Sequence, residues 1–154
     1  LRVEIDAEVP ENVNGVIFAM GGYAGGVSLY AVDGELRYDY SALLLKRYKI
    51  KVGELPAGKV KIEYEMRTPL ERAAPAELNF WINGKEAATG TVERTVPLTF
   101  TASETFDVGL DTSSPVADDY FDMAPFAFEG ELNRLHFKNL LDERPAFKGP
   151  FDDD

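Results

Sequence analysis

The chain has no cysteine. Thiol catalysis, thiolate metal sites and disulfides are therefore excluded, and the redox state of its compartment leaves no trace. It has one histidine, His136, and one tryptophan, Trp81. A lone histidine near the end of a strand, with no second one nearby, reads as a packing or hydrogen-bonding residue and not as a zinc ligand. There is no G-x-S-x-G elbow to carry a nucleophilic serine. There is no phosphate loop or dinucleotide fingerprint either. The glycine-rich run Gly21 to Gly26 lies between strands and not before a helix. Bases are scarce, 16 against 27 acids, for a formal net charge of −11. That balance argues against nucleic acid and anionic membrane as partners, since both need clustered positive charge. No apolar run approaches the roughly 20 residues of a membrane-spanning helix.

What the chain does have is a strong period of two. In RVEIDAEV, Val3, Ile5, Ala7 and Val9 share one face, and Arg2, Glu4, Asp6 and Glu8 the other. KVKIEYEM sets Val60, Ile62, Tyr64 and Met66 against Lys61, Glu63 and Glu65. ELNFWIN sets Leu78, Phe80 and Ile82 against Asn79, Trp81 and Asn83. Alternation of this kind marks half-buried strands. Asp33-Gly34 and Asn83-Gly84 fall between such runs and suit two-residue hairpins that need positive φ. Pro56-Ala57-Gly58 marks another turn, and Thr68 to Pro75 a longer loop. SALLLKRYKIKV (41–52) has some helical propensity, yet Tyr48, Ile50 and Val52 alternate, which favours a strand after a short connection. The predicted fold is all-β: a jelly-roll-like sandwich of two antiparallel sheets.

A length of 154 residues suits one domain. The expected division is a sandwich over 1–140 and a tail or strap over 141–154, which Phe147 and Phe151 could pin. The chain opens at Leu1 already inside a strand pattern, so a fragment or processed product is expected.

Three constellations could carry chemistry. The first is Glu4-x-Asp6-x-Glu8. Its spacing is that of retaining β-glucanases, with Glu4 and Glu8 as the catalytic pair, which needs carboxyl groups about 5–5.5 Å apart. A regular strand holds residues four apart at roughly 13 Å, so an ordinary charged outer face is the competing reading. The second is the Asp-rich segment 103–122. Asp107, Asp111, Asp118 and Asp119 supply hard oxygen ligands for a structural Ca²⁺, though without the spacing of an EF-hand. Asp and Ser side chains also shape long loops by bonding their own backbone. The third is aromatic. Trp81 and Tyr30 point opposite to their core-facing neighbours, and Tyr23 lies in the glycine loop. With Asn79 and Asn83 beside them they could stack and hydrogen-bond a sugar, or dock against another domain.

The run Glu104-Thr105-Phe106-Asp107-Val108-Gly109-x-Asp111-Thr112-x-Ser114-Pro115-Val116, followed by Asp119-Tyr120, resembles the C-terminal region of bacterial arylsulfatases. Gly15-Val16-Ile17-Phe18-Ala19, Gly26-Val27-Ser28-Leu29-Tyr30, Leu55-Pro56-Ala57-Gly58-Lys59, Val92-Glu93-Arg94-Thr95-Val96-Pro97 and Phe128-x-Gly130-x-Leu132 fall in the matching order, over roughly residues 1–138. The resemblance implies a concanavalin A-like, laminin-G-like β-sandwich of the lectin and glucanase type that packs on a catalytic sulfatase domain in the same parent chain and shapes substrate access. It also implies a periplasmic or secreted parent, whose catalytic domain carries its own Ca²⁺. The sulfatase motif (Cys/Ser)-x-Pro-x-Arg fails here. Its nearest match, Ser113-Ser114-Pro115-Val116-Ala117, has Ala117 in place of the arginine. No catalytic residue and no cofactor of this chain's own follows from the resemblance. Two roles therefore stand beside it: a carbohydrate-binding module and, behind that, a small glucanase.

Overall fold

In the computed structural model the described residues are 2–22, 25–42, 46–67, 75–92, 106–110, 116–123 and 125–138. They form ten strands: β1 (Arg2–Val9), β2 (Gly15–Gly22), β3 (Gly25–Val32), β4 (Glu35–Ala42), β5 (Lys46–Glu54), β6 (Gly58–Arg67), β7 (Ala76–Ile82), β8 (Lys85–Val92), β9 (Phe106–Val108) and β10 (Glu131–Lys138). A six-residue 3₁₀ stretch, Asp118–Met123, lies between the last two, which sequence periodicity had not signalled. The strands make two five-stranded sheets. Sheet A has the order β10-β1-β6-β7-β8 and sheet B the order β5-β4-β3-β2-β9. Every pairing between strands is antiparallel. This is the expected jelly-roll-like sandwich. The expected strand in 41–52 is β5. The tail from 141 lies outside the described residues.

The alternation in the sequence decides which side chains meet. β1 reads half-buried, buried, half-buried, buried along its whole length. Val3, Ile5, Ala7 and Val9 enter the core with Ile62 and Tyr64 of β6 and Leu78 and Phe80 of β7. Sheet B answers with Ile17, Phe18, Val27, Leu29, Leu36, Tyr38 and Tyr40. The hairpins close as their turn residues require. Asp33 and Gly34 take φ of 47° and 81°, and Asn83 and Gly84 take 51° and 81°, the primed-turn values that match strand twist.

Two backbone features place the segment after β9. Gly15 has φ 120°, and a Cβ there would lie 2.3 Å from the carbonyl oxygen of Ala127. The backbone amide of Val16 donates to the carbonyl of Phe126 at 2.8 Å, and that of Glu129 to the carbonyl of Asn14 at 2.9 Å. The chain can therefore return close beside β2 only because residue 15 has no side chain.

The centre of the core is aromatic and partly polar. Tyr38, Tyr64 and Phe80 pack with ring centroids 5.1–5.2 Å apart. The hydroxyls of Tyr38 and Tyr64 meet at 2.7 Å, one from each sheet. Both are fully buried, so each phenol depends on the other for a partner. Tyr64→Phe is expected to cost about 1–3 kcal/mol, because it strands the Tyr38 hydroxyl. The double variant Y38F/Y64F should be less destabilised than the sum of the two single changes. Urea denaturation of the four proteins checks this; additive losses would contradict it.

Candidate functional site

A sandwich has two outer faces, and here they differ. On sheet A the registers build polar rows across the strands. One row runs His136, Glu4, Glu63, Trp81, Glu86, and the next Lys138, Arg2, Glu65, Asn79, Thr89. Glu4 and Glu63 stand directly opposite each other, which would repel. Arg2 resolves the conflict. Its Nε donates to Glu4 at 3.3 Å, its Nη1 to Glu65 at 3.2 Å, and its Nη2 to Glu63. Glu65 has a side chain only 6% exposed, and Arg67 holds its other oxygen at 2.6 Å. Burial alone would raise the Glu4 pKa, but the Arg2 hydrogen bond and the charges of Lys138, Arg2 and Lys61 hold it below the usual carboxylate value.

Trp81 sits in this network, half-buried, with the Arg2 guanidinium 5.5 Å from its ring centroid. Such a contact is worth about 0.5–1 kcal/mol at an exposed site and fixes the indole on the sheet. Asn79 lies on the same outer face and is half-buried. Asn83 is exposed in the β7–β8 turn, where its Oδ1 accepts from the Lys61 amide at 2.9 Å. Glu4 and Glu8 lie on one face, as expected, but at opposite ends of β1. Glu4 joins the Arg2 network, whereas Glu8 lines a shallow groove with Val9, Pro10, Gly58, Glu129, Gly130 and Glu131. β1 pairs with β6 in unbroken register, and the irregularity against β10 between Asp6 and Ala7 places its extra residue, Asn133, on β10, so β1 itself does not bulge between the two carboxylates.

The outer face of sheet B is covered. Val116, Ala117 and Tyr120 lie across it, fully buried against Val16, Ala19 and Tyr30, with Phe126 packed beside them. Tyr30 does point away from the core, but its ring is 0% exposed and meets Tyr120 edge-on at 5.1 Å. It therefore offers no open face for stacking. The segment is tied by polar contacts. The Tyr120 hydroxyl donates to Ser28 Oγ at 2.9 Å, and Arg47 Nη1 donates to the Val116 carbonyl at 2.6 Å. The Asp119 carboxylate accepts from Tyr30 Oη at 2.8 Å, from Arg37 Nη1 at 2.9 Å and from Lys49 Nζ. Burial opposes this charge, but the Lys49, Tyr30 and Arg37 hydrogen bonds prevail and lower the Asp119 pKa.

Beneath it, Asp39 is 3% exposed. Tyr30 Oη also lies 2.7 Å from Asp39 Oδ1. One hydroxyl has one proton and here faces two carboxylates. With both ionised, one contact lacks a proton. When Asp39 is protonated it donates to Tyr30, which then donates to Asp119. Burial pushes the Asp39 pKa up to about 6, helped by Asp119 and opposed by the Tyr30 hydrogen bond and by Lys49 and Arg47.

Of the expected Ca²⁺ ligands, Asp119 has both oxygens turned to protein donors. Asp107 pairs with Ala19 in the ladder, and Asp118 opens the 3₁₀ stretch. Asp111 and Tyr23 lie outside the described residues. Among the described residues, no group of three or more acidic or imidazole side chains is placed to hold a metal. His136 is exposed on the outer face of sheet A. Sequence reasoning missed Arg2 as the hub of sheet A and missed Asp39 altogether. Asp39 follows the outward alternation of ELRYDY and becomes buried only because a segment about 80 residues later covers it, which no local pattern signals.

No protein-family model matches the chain, and no curated protein matches it in sequence. Its fold is that of concanavalin-like jelly-roll sandwiches. Among solved structures, the CBM40 module of a Ruminococcus gnavus IT-sialidase, bound to α2,6-sialyllactose, superposes with a TM-score of 0.61 at 14% identity. The match covers 87% of this chain and 73% of that one. A native heptameric SAP-like pentraxin from Limulus polyphemus gives a TM-score of 0.56 at 16% identity, covering 87% of this chain and 61% of the pentraxin.

The raised Asp39 pKa makes a signed prediction. The folded chain holds this proton more tightly than the unfolded chain does. The stabilisation is complete below about pH 4 and is lost as pH rises through about 6. Asp39→Asn is neutral at every pH. Its stability relative to the parent should therefore improve by on the order of 3 kcal/mol between pH 4 and pH 8. Urea unfolding of both proteins across that range measures the difference; a pH-independent gap would contradict it.

Proposed function

We propose that this domain is a non-catalytic carbohydrate-binding module whose ligand lies on the outer face of sheet A, over Trp81. One observation carries the proposal: Trp81 stands half-exposed in rows of polar side chains on a sheet face that no other described residues cover, while the other face is packed against Val116, Ala117 and Tyr120. An indole supplies a flat apolar surface for the C–H face of a sugar. Asn79 supplies a donor and an acceptor for hydroxyl groups beside it, and the exposed Glu86 carboxylate supplies acceptors. Arg2 and its carboxylates hold the ring in place before a ligand arrives, which lowers the ordering entropy lost on binding. The likeness in fold to a CBM40 module supports the same reading.

A hydrolytic role for Glu4 and Glu8 finds less support. A retaining pair needs carboxyl groups about 5–5.5 Å apart, and Glu4 and Glu8 stand four residues apart on a strand that keeps its register with β6. The accessory role beside a sulfatase domain rests on the sequence motifs.

Neutral oligosaccharides should quench or shift Trp81 fluorescence saturably. Trp81→Ala should weaken binding by at least about tenfold, equivalent to about 1.4 kcal/mol, with little change in folding. Asn79→Ala should weaken it less. Silence across a broad panel, or full affinity in W81A, would overturn the proposal.

A further inference from the structure

The contacts of Asp119 describe a socket as well as a tether. Its three donors come from three adjacent strands: Tyr30 from β3, Arg37 from β4 and Lys49 from β5. Each stands on the ladder of sheet B. Arg37 is steadied by Glu35, whose Oε1 accepts from Nε at 2.7 Å. Tyr30 is steadied by Asp39 below and by the edge of Tyr120 beside it. Two cations and a phenol converging on one point make a carboxylate receptor, since charge-assisted hydrogen bonds of this kind are about twice as strong as neutral ones. The buried hydroxyls of Ser28 and Ser41 flank the same face.

The occupant is separable from its segment. Residues 116–123 and Phe126 are also held by Arg47 on the Val116 carbonyl, by Tyr120 on Ser28, and by the stacking of Tyr120 on Phe126 at 5.4 Å. The amide of Val16 adds a bond to Phe126. None of these involves the Asp119 side chain. Two of the three donors reach water, with the Lys49 side chain 38% exposed and that of Arg37 22%, while Tyr30 is buried beneath Asp119. Asp119 can therefore leave by rotating its side chain while the backbone stays in place.

We propose that Tyr30, Arg37 and Lys49 form a second ligand site, on the face opposite Trp81, that takes the carboxylate of an acidic saccharide in exchange for the resident Asp119 carboxylate. The carboxylate follows from the socket; the sugar that carries it rests on the carbohydrate-binding function proposed above. No bond is made or broken in the exchange. The resident side chain lowers the apparent affinity by the fraction of time it fills the socket, so the site favours ligands presented at high local concentration.

The test is calorimetric titration of the full chain with an oligogalacturonate and with its neutral methyl ester. The acid should bind at least about tenfold more tightly than the ester. Asp119→Ala should raise affinity for the acid about tenfold further, by emptying the socket. Lys49→Gln should remove the preference for acid over ester. If D119A fails to fold, D119N carries the same expectation with a smaller gain. Equal affinity for acid and ester, or an acid affinity that neither D119A nor D119N changes, overturns the second site. If neutral sugars still bind through Trp81 in that case, the carbohydrate-binding function stands without it.

Discussion

Two sheets can share a core only if every second side chain of each strand is apolar, and everything else in this molecule follows from that requirement. Val3, Ile5, Ala7 and Val9 of β1 meet Phe18, Tyr38 and their neighbours from sheet B across the sandwich. The other half of each strand must then face outward, so the fold creates two outer surfaces as well as one interior. A surface of alternate residues from five strands is a grid, with side chains from adjacent strands about 5 Å apart. Such a grid must either satisfy its own charges or be covered. Sheet A does the first and sheet B the second.

On sheet A the solution is Arg2. The alternation places Glu4 opposite Glu63, and one guanidinium with several donors joins both and Glu65 as well. A lysine would have less to offer, because its point charge lacks the planar fork that spans three carboxylates. The same guanidinium lies over Trp81, so the stacking surface and the charge network are mechanically one unit. On sheet B, Val16, Ala19 and Ser28 are small enough for residues 116–126 to lie close. The cover then buries Asp39 and produces the shared proton between Asp39, Tyr30 and Asp119. A polar group that would be ordinary on an open face becomes a titrating group under a lid of protein.

The fold was legible because it is written in short-range signals. Period two in RVEIDAEV and KVKIEYEM gave the faces, and Asp33-Gly34 and Asn83-Gly84 gave the turns. The outer-face positions of Trp81 and Tyr30 were also legible. Their fates were not. Trp81 stays open and Tyr30 is buried, and the difference depends on a segment about 90 residues beyond Tyr30. Arg2 was seen as one charge among several on a strand face, since register with β6 and β10 decides which acids it meets. In sequence, the 3₁₀ stretch at Asp118–Met123 is part of an Asp-rich segment that fits either a loop shaped by its own side-chain bonds or a cation site. In the folded chain Asp119 instead finds Arg37 and Lys49, cations that the chain itself provides.

Whether the open face of sheet A is where a sugar sits can be read directly by mapping amide and indole shifts of ¹⁵N-labelled protein during titration with a neutral oligosaccharide that binds. The account predicts changes at the Trp81 indole, Asn79, Arg2 and Glu65, fading toward β10, with sheet B unmoved. Shifts centred on residues 116–126 and their neighbours in sheet B, or none at Trp81, would contradict it.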